Sequence, residues 1–460
     1  MTDHLPPHAN LPPHLTKHAA ELLIAEHARR SAGEIARIEI PVNAETDLLA
    51  WLAAQKQAPR LGYWRDRDDG SEIAACGVSD VVHALTWHDM ESGVNTVSAR
   101  LERTDDGVRY FGGLRFEAER GGDAVWDGWG GCEFGLPACG IEKNARGAIF
   151  FAHAVAGSEK SLLAALHFLE KITMESGAPH QTGACEQHVT LLPSRSQWEQ
   201  TLSAALSDIA DGALQKIVLA RREHITWSAP RCPFSVLATL RSWEPHCYCY
   251  AAFGTESVFL GASPELLYHR DDATLCTEAV AGTAGVSGCA DNDTKAARSL
   301  ASSEKNLREH NIVRDWIKEK LLPLSVAAPQ PAELHIRTLH SVQHLVTPIT
   351  ARLRDDTTDA ALLRVLHPTP AVAGRPRDAA LRWIARHEPF ERGWYAAPVG
   401  WISPRGAKFI VALRCAMLRK NEAHLYSGAG IVSGSDPAQE WEELDNKTAT
   451  LRQAMAQSYP

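Results

Sequence analysis

The spacing of apolar residues near the end of the chain predicts a helix that begins after Asp436. An apolar residue or threonine recurs every three or four positions, which places these side chains on one helical face. The stripe consists of Trp441, Leu444, Thr448, Leu451 and Met455. Asp436 suits the N-cap and Pro437 suits the first helical position.

Much of the remaining chain carries short apolar runs typical of strands. Clear examples begin at Lys216 (KIVLARREHITW), Leu275 (LCTEAVAGT), Phe409 (FIVALRCAML) and Leu425 (LYSGAGIV). Helical patterns occur between them at irregular intervals, without the regular strand–helix alternation of a parallel sheet. We therefore predict an α+β fold with large antiparallel β-sheets flanked by helices.

The 460 residues suit one large domain or two intimately joined lobes. Residues 1–18 contain LPPH twice and four histidines, and we expect a disordered tail. A helix is predicted from His18 to about Arg30, and residues 19–195 form a first part of strands and loops that includes a loop over 176–190. The region 196–460 is predicted to carry the chemistry, with a long helix over 300–321.

Composition excludes several classes of protein. The net charge is −9 and the sequence shows no basic stripe, so nucleic acid is not expected as a partner. No apolar stretch is long enough to span a membrane, and the ten cysteines contain no CxxC pair, which indicates a cytoplasmic protein with reduced thiols. Since the acidic surface does not attract anions, an anionic substrate would need a local site or a metal.

Three charged residues adjoin the apolar stripe of the last predicted helix. Glu440, Glu443 and Lys447 fall within about 60° of one another on the helical circle. Glu443 and Lys447 could be an ordinary i,i+4 surface pair, or these groups could be held for chemistry. The helix alone does not decide between the two interpretations.

Glu309 is unusual because it lies inside the apolar sector of the predicted helix over 300–321, between Ile312 and Trp316. A carboxylate there must be paired, hydrogen-bonded or bound to a metal. One interpretation is a salt bridge to Lys305 or a nearby arginine. The other is a carboxylate site for Mg²⁺, which binds oxygen ligands.

Other candidates lie on the predicted strands. Lys216 opens an apolar strand, so it either reaches out to solvent or is desolvated and able to act as a base. Glu265 precedes two leucines, and burial would raise its pKa and suit it to act as an acid. Gly428 and the Gly282–Thr283 pair follow strands, where backbone amides can approach an anion. The segment 428–434 lacks the spacing and setting of a dinucleotide fingerprint.

Together these segments resemble the chorismate-utilising enzymes and, within them, the isochorismate synthases. The matching motifs follow one another in family order over residues 216–455. They are KIVLAR, FLGASPELL, EAVAGT, SSEKNLREHNIV, HLVTPI, HPTPAVAGRP, RGWYAAPVGW, FIVALRCA, YSGAGIVSGSDP and EWEELDNK. Residues 19–195 look like the family's more variable half. The resemblance implies the two-lobed fold of anthranilate synthase component I.

The resemblance also implies roles for individual residues. Glu309 and Glu443 match Mg²⁺ ligands, and Glu440 matches a further acidic position that often acts through water. Lys216 matches the general base that activates water, and Glu265 matches the general acid. The positions that hold or line the substrate are Gly282, Thr283, His344, Arg414, Gly428 and Lys447.

The implied reaction is Mg²⁺-dependent conversion of chorismate to isochorismate, as in menaquinone and siderophore biosynthesis. Lys216 and Ala281 favour the water-adding branch, since ammonia-adding relatives usually have Gln at the first position and aminodeoxychorismate synthases tend to have Lys at the second. A salicylate synthase is the main alternative, followed by an anthranilate or aminodeoxychorismate synthase component I and by an inactive homologue. Ala373 and Ala397 replace family glycines, and GTAGVSG lacks the family's PRG. We expect a monomer or weak dimer without an obligatory protein partner.

Overall fold

The computed structural model describes residues 14–55, 61–84, 87–117, 122–173, 175–177 and 184–457. Within them the strands join into one sheet of twenty strands, and the helices pack around it. The pairings between these strands are antiparallel throughout. The predicted α+β fold with large antiparallel sheets is therefore confirmed.

Helices occur throughout the described chain and are numbered here in chain order. They are α1 (Leu15–Arg29), α2 (Leu48–Ala54), α3 (Trp87–Leu101), α4 (Glu159–Lys171), α5 (Arg195–Ala210), α6 (Pro233–Trp243), α7 (Ala290–Ser302), α8 (Glu304–Leu321), α9 (Asp359–Leu366), α10 (Arg377–His387) and α11 (Pro437–Ala456). Short 3₁₀ turns cover Ala124–Trp126 and Leu322–Leu324. None of these helices has the length and apolar character needed to cross a bilayer.

Strands are numbered in the same way. They are β1 (Ile35–Val42), β2 (Leu61–Arg65), β3 (Glu72–Ala84), β4 (Tyr110–Leu114), β5 (Cys132–Asn144), β6 (Gly147–Val155), β7 (Glu186–Leu192), β8 (Lys216–Trp227), β9 (Tyr248–Phe253), β10 (Val258–Ser263), β11 (Leu266–Asp271), β12 (Thr274–Gly285), β13 (Gln330–Pro331), β14 (His335–Thr338), β15 (Val342–Arg352), β16 (Gly374–Arg375), β17 (Pro398–Ile402), β18 (Gly406–Val411), β19 (Cys415–Arg419) and β20 (Glu422–Ile431).

Hydrogen bonding between strands traces one long path through the sheet. It runs β15–β12–β11–β18–β17–β4–β5–β3–β2–β9–β10–β19–β20–β8–β7, with β6 and β1 branching from β5. β12 and β20 are therefore far apart along the path, yet both contact helix α11. The sheet must curl so that its two ends face each other, as the twist of antiparallel sheets permits.

The first and second parts of the chain share this sheet. β2 pairs with β9 and β4 pairs with β17, so strands from before residue 195 hydrogen-bond to strands from after it. Each of the two apolar cores also contains residues from both parts. The division of the chain into a first part that ends at residue 195 and a second part that begins at residue 196 stays a prediction.

Several elements differ from the sequence-based expectations. α1 begins at Leu15, inside the predicted tail, and residues 1–13 of that tail lie outside the described residues. The long helix predicted over 300–321 is present as α8, but it begins only at Glu304, because the side chain of Ser303 caps it by accepting from the Asn306 amide; residues 300–302 belong to the end of α7. The predicted loop over 176–190 overlaps β7.

Helix α3 was missed altogether. Its buried residues do follow a helical stripe: Met90, Val94, Val97 and Leu101. The intervening residues are polar and include a glycine, so the pattern is weak in isolation. Packing of this stripe against strand β3 and helix α9 stabilises the helix.

Candidate active site

The predicted site residues converge on one cavity between the two facing ends of the sheet. The space between its walls is about 690 Å³ and opens to solvent. The predicted residues in its lining are Glu265, Gly282, Thr283, Glu309, His344, Arg414, Gly428, Glu443 and Lys447. They come from strands β12, β15 and β20, from helices α8 and α11, and from the segments beside β10, β11 and β19.

Lys216 lies behind this lining and is fully buried. Its Nζ atom lies 2.9 Å from Glu309 Oε1, although the contact lacks hydrogen-bond geometry. The suggestion that Lys216 reaches out to solvent from a strand end is therefore wrong. Glu309 is paired, as its place in an apolar sector requires, but its partner is Lys216 on a distant strand rather than Lys305.

Helix α11 begins as predicted, with Asp436 accepting from the Ala438 and Gln439 amides. Lys447 does form the i,i+4 pair with Glu443, at 2.6 Å, but both side chains lie in the cavity wall. Lys447 Nζ also donates to the Gly428 carbonyl at 2.8 Å. The pair is therefore part of the cavity and not of a solvated surface.

Glu440 is separate from this pair. Its side chain is buried, is absent from the cavity lining and is paired with Lys305. Burial, followed by the negative charge of Glu443, raises the pKa of Glu440 above its usual range, while Lys305 acts in the opposite direction. Each of the three predicted metal-binding carboxylates is thus neutralised by a different lysine.

Glu265 is the buried carboxyl group of the cavity, with 4% of its surface exposed. Burial is the largest cause of a pKa raised to about 8, and the nearby charge of Glu278 acts in the same direction. Lys216, Lys447 and Arg337 oppose this shift without cancelling it. At neutral pH the group is therefore mostly protonated and able to donate a proton.

Glu278, which sequence reasoning missed, holds the segment that carries Glu265. Arg67 and Arg337 each bind both oxygens of Glu278, at distances from 2.7 to 3.1 Å. Both arginines also donate to the carbonyl of Pro264, the residue before Glu265. Residues from three distant parts of the chain thus fix the backbone at this position, and no local sequence signal pairs them.

His344 and Arg414 both line the cavity and are hydrogen-bonded to each other. Arg414 Nη2 donates to His344 Nε2 at 2.8 Å, so the other ring nitrogen, Nδ1, carries the proton and faces the Gly282 carbonyl and the Thr283 hydroxyl. Burial, followed by the charges of Arg414 and Lys447, holds the pKa of His344 well below its usual range. The ring is neutral and orients Arg414.

Two glycines leave the space that this arrangement needs. A Cβ atom on Gly430 would lie 2.1 Å from Glu309 Oε1 and 3.0 Å from Lys216 Cε, so β20 can approach the ion pair only without a side chain there. Gly282 adopts a φ of 81°, a conformation that favours glycine. Gly282 was predicted, whereas Gly430 was not.

Two further cavity residues were also missed. Tyr395 is buried, and burial raises its pKa above the usual range. Its ring stacks on that of Tyr426 with centroids 5.2 Å apart. The hydroxyl of Ser427 is buried at the cavity without a hydrogen-bond partner among the described atoms, so it is available to a ligand.

A second cavity, with about 1070 Å³ of empty space, lies near strands β2, β5, β9 and β17. It is larger, and its lining is mainly apolar and aromatic, with Trp64, Trp129, Tyr250 and Trp394 among its residues. None of the predicted acid, base or carboxylate residues lines it. The smaller cavity is therefore the candidate active site, because the titratable groups converge there.

Comparison with protein families identifies a relationship over almost the whole chain. Residues 20–456 match the family described as "Chorismate binding enzyme". The chain is 35% identical over 432 residues to isochorismate synthase MenF of Escherichia coli (strain K12), covering 90% of this chain and 92% of that protein. It is 35% identical over 354 residues to the salicylate biosynthesis isochorismate synthase of Pseudomonas aeruginosa, covering 76% of this chain and 74% of that protein.

Solved structures give a consistent result. The structure of MenF, the menaquinone-specific isochorismate synthase from Escherichia coli, matches with a TM-score of 0.81 at 30% identity, covering 96% of this chain and 99% of that one. Anthranilate synthase component I from Streptococcus pneumoniae TIGR4 matches with a TM-score of 0.69 at 20% identity, covering 83% and 92% of the two chains. The second match shows a shared fold.

Proposed function

Since this chain belongs to the chorismate-binding enzyme family, we propose that it is an isochorismate synthase. Such an enzyme converts chorismate to isochorismate by adding water at C2 and releasing the C4 hydroxyl. The family and the fold predicted from the sequence are both confirmed. One observation carries the proposal: Lys216, which is buried, and Glu265, whose pKa is raised, belong to different strand regions around one cavity.

Lys216 and Glu265 would perform the two proton transfers. Lys216 in its neutral form would take a proton from the water whose oxygen attacks C2. The ring double bonds shift, the bond from C4 to its hydroxyl oxygen breaks, and Glu265 protonates the departing oxygen. The raised pKa of Glu265 supports this role, because an acid must hold its proton at neutral pH. One water enters and one leaves, so the reaction is an isomerisation.

Chorismate is a dianion, so its carboxylates need local positive charge. Arg414 lies in the cavity wall, where its planar guanidinium can bind a carboxylate through two hydrogen bonds. His344 orients that guanidinium without adding a charge of its own. Lys447 and the backbone beside Gly282, Thr283 and Gly428 would contact the same ligand.

The carboxylates of Glu309 and Glu443 fit a magnesium site because both line the cavity and both offer oxygen ligands. Mg²⁺, when bound, would supply positive charge for an anionic substrate. Glu440 would act only from further away, since it lies behind the lining. Lys216 pairs with Glu309 here, and its nitrogen must leave that ion pair to contact the attacking water.

Replacing Glu443 by glutamine is expected to raise the Mg²⁺ concentration needed for half-maximal activity at least about tenfold, because the side chain keeps its size but loses its charge. Glu442 is a matched control: it is the next carboxylate on the same helix, but it is exposed. Glu442→Gln should leave the Mg²⁺ titration unchanged. Equal shifts in the two variants would show that general helix charge, and not a ligand, is responsible.

The activity itself is tested by incubating the purified protein with chorismate and Mg²⁺, with and without ammonia, and separating the products. Isochorismate alone is expected under both conditions. Salicylate with pyruvate would identify the main alternative, and an aminated product would identify the ammonia-adding branch. As the reaction needs only chorismate, water and Mg²⁺, we also propose that the chain acts in the cytoplasm without an obligatory protein partner.

A further inference from the structure

A separate cluster of ligand-type side chains lies on the sheet outside the cavity. His224 on β8 and His424 on β20 are directly opposite in the strand register. Their rings stack with centroids 4.4 Å apart and planes inclined by 10°. Glu422 lies two residues before His424, and its Oε2 atom is 3.7 Å from His224 Nε2. One ligand atom from each of the three residues lies within 4.8 Å of the other two.

The two rings present ligand atoms that nothing in the described chain satisfies. His224 Nε2 and His424 Nδ1 are both buried and have no hydrogen-bond partner among the described atoms. A buried polar nitrogen without a partner costs free energy, so an arrangement with two of them is unfavourable unless something binds there. A metal ion would satisfy both nitrogens at once.

We propose that His224, Glu422 and His424 form a site for a divalent transition-metal ion of the zinc type. Two imidazoles and one carboxylate are the donor set of open zinc sites, in which water completes the coordination. Mg²⁺ prefers oxygen ligands, so this site and the magnesium site would select different ions.

Binding requires a small local rearrangement. The lone pairs of two nearly parallel rings point in parallel directions and not at one common point. On a tetrahedral ion with bonds of about 2.1 Å, two donor atoms lie about 3.4 Å apart and both point at the ion. One ring must therefore rotate so that both nitrogens face the same point. Glu422, whose side chain is 45% exposed, lies at the open side from which an ion can enter.

Nearby charges act in both directions. Arg222 and Arg419 disfavour a cation beside His424, whereas Asp123 favours one. Arg222 is itself held in an ion pair with Asp123 at 2.5 Å, which reduces its effect. A bound ion would join β8 to β20 about 13 Å along the strand from Gly428, since four residues of strand cover that distance. It would stabilise the two strands that carry Lys216 and Gly428.

The test is titration of the full chain with Co²⁺, a spectroscopic probe for zinc sites, followed by competition with Zn²⁺. The four histidines near the start of the chain, His4, His8, His14 and His18, are replaced by glutamine in every protein compared, because they could also bind metal. We expect this parent to bind one equivalent of Co²⁺, with the visible absorption of a low-coordinate site, and to release it to Zn²⁺.

Two variants locate the ion. His424→Gln and Glu422→Gln are each expected to weaken binding at least about tenfold, whereas His335→Gln, a change of an exposed strand histidine outside the cluster, should not. Glu422 is half-exposed, so its replacement separates loss of a ligand from loss of the fold. A parent that binds no Co²⁺, or variants that bind as tightly as the parent, would overturn the proposal. This readout involves no chorismate and is independent of the proposed activity.

Discussion

Replacing Lys216 by alanine is expected to lower the turnover of chorismate by about 10²- to 10⁴-fold, the usual contribution of a positioned general base. Alanine cannot accept a proton from the attacking water, and no other described lysine is buried on Glu309. The measurement is the rate of isochorismate formation at saturating chorismate and Mg²⁺. Loss in kcat, with little change in KM, is the expected pattern, because the lysine would act in the transition state.

A second buried lysine provides the control for this variant. Lys408 on β18 is also buried and paired with a carboxylate, with Nζ 2.6 Å from Asp66 Oδ2, but it does not line the cavity. Lys408→Ala should therefore destabilise the protein in a similar way while its folded fraction keeps its turnover. Full activity in Lys216→Ala would remove the base assignment, and equal losses in both variants would point to damage to the fold.

Replacing Glu265 by glutamine is expected to lower turnover by a similar factor, about 10²- to 10⁴-fold, because an amide cannot protonate the departing oxygen. The same assignment predicts how the wild-type enzyme responds to pH. As the pKa of Glu265 is raised to about 8, activity should fall as the pH rises through that value and the acid loses its proton. The pH dependence of kcat/KM measures this for the free enzyme. An unchanged rate in Glu265→Gln would remove the acid assignment.

The same variant should be more stable than the wild type at neutral pH. Burial raises the pKa of Glu265 from 4.5 to about 8, so between these values the folded protein binds more protons at this site than the unfolded chain does. Stability is therefore unaffected below about pH 4.5, falls as the pH rises towards 8, and is roughly 5 kcal/mol lower above it. Glutamine stays neutral and avoids this loss. Urea unfolding at several pH values within the window measures the difference, and parallel stability curves for the two proteins would contradict it.

Glu278 provides a control, because the same substitution is expected to change the stability of the protein in the opposite direction. Its two arginine partners lower its pKa despite its burial, so its charged form stabilises the fold above the unfolded pKa, and this contribution is lost only as the pH falls through the lowered value. Glu278→Gln leaves Arg67 and Arg337 without their shared carboxylate and is expected to cost about 3 to 5 kcal/mol at neutral pH. Two buried glutamates in the same region thus respond oppositely to the same substitution, because one lacks a close cation and the other has two.

Much of the fold could be predicted from periodicity. The apolar stripe of α11, its cap at Asp436 and the antiparallel character of the sheet follow from local patterns, and the structure has them all. The long helix predicted over 300–321 is present as α8 from Glu304 onwards, and only its start differs, because the N-cap Ser303 separates it from α7. Helix α3 was missed because a few apolar residues among polar ones become a helix only when a sheet covers them.

Site residues were predictable in kind but not in their pairing. The sequence indicated that Glu309 needed a partner, and Lys305 was the nearest candidate along the helix. In the structure Lys216 fills that role, and Lys305 pairs with Glu440 instead. Glu278 gave no signal of its own, because its partners Arg67 and Arg337 lie far away along the chain.

The sequence by itself determined the family and the type of sheet, and it supplied the candidate acid, base and carboxylate groups. Only the tertiary structure decided which of these groups meet. It also showed that Gly430 leaves space for the ion pair of Lys216 and Glu309, and that two histidines lie opposite each other on β8 and β20. The physical reason is that periodicity assigns a residue to a face of its own helix or strand, whereas strand register and the curl of the sheet determine which faces come together. Lys216 and Glu309, ninety-three positions apart, are joined in this way.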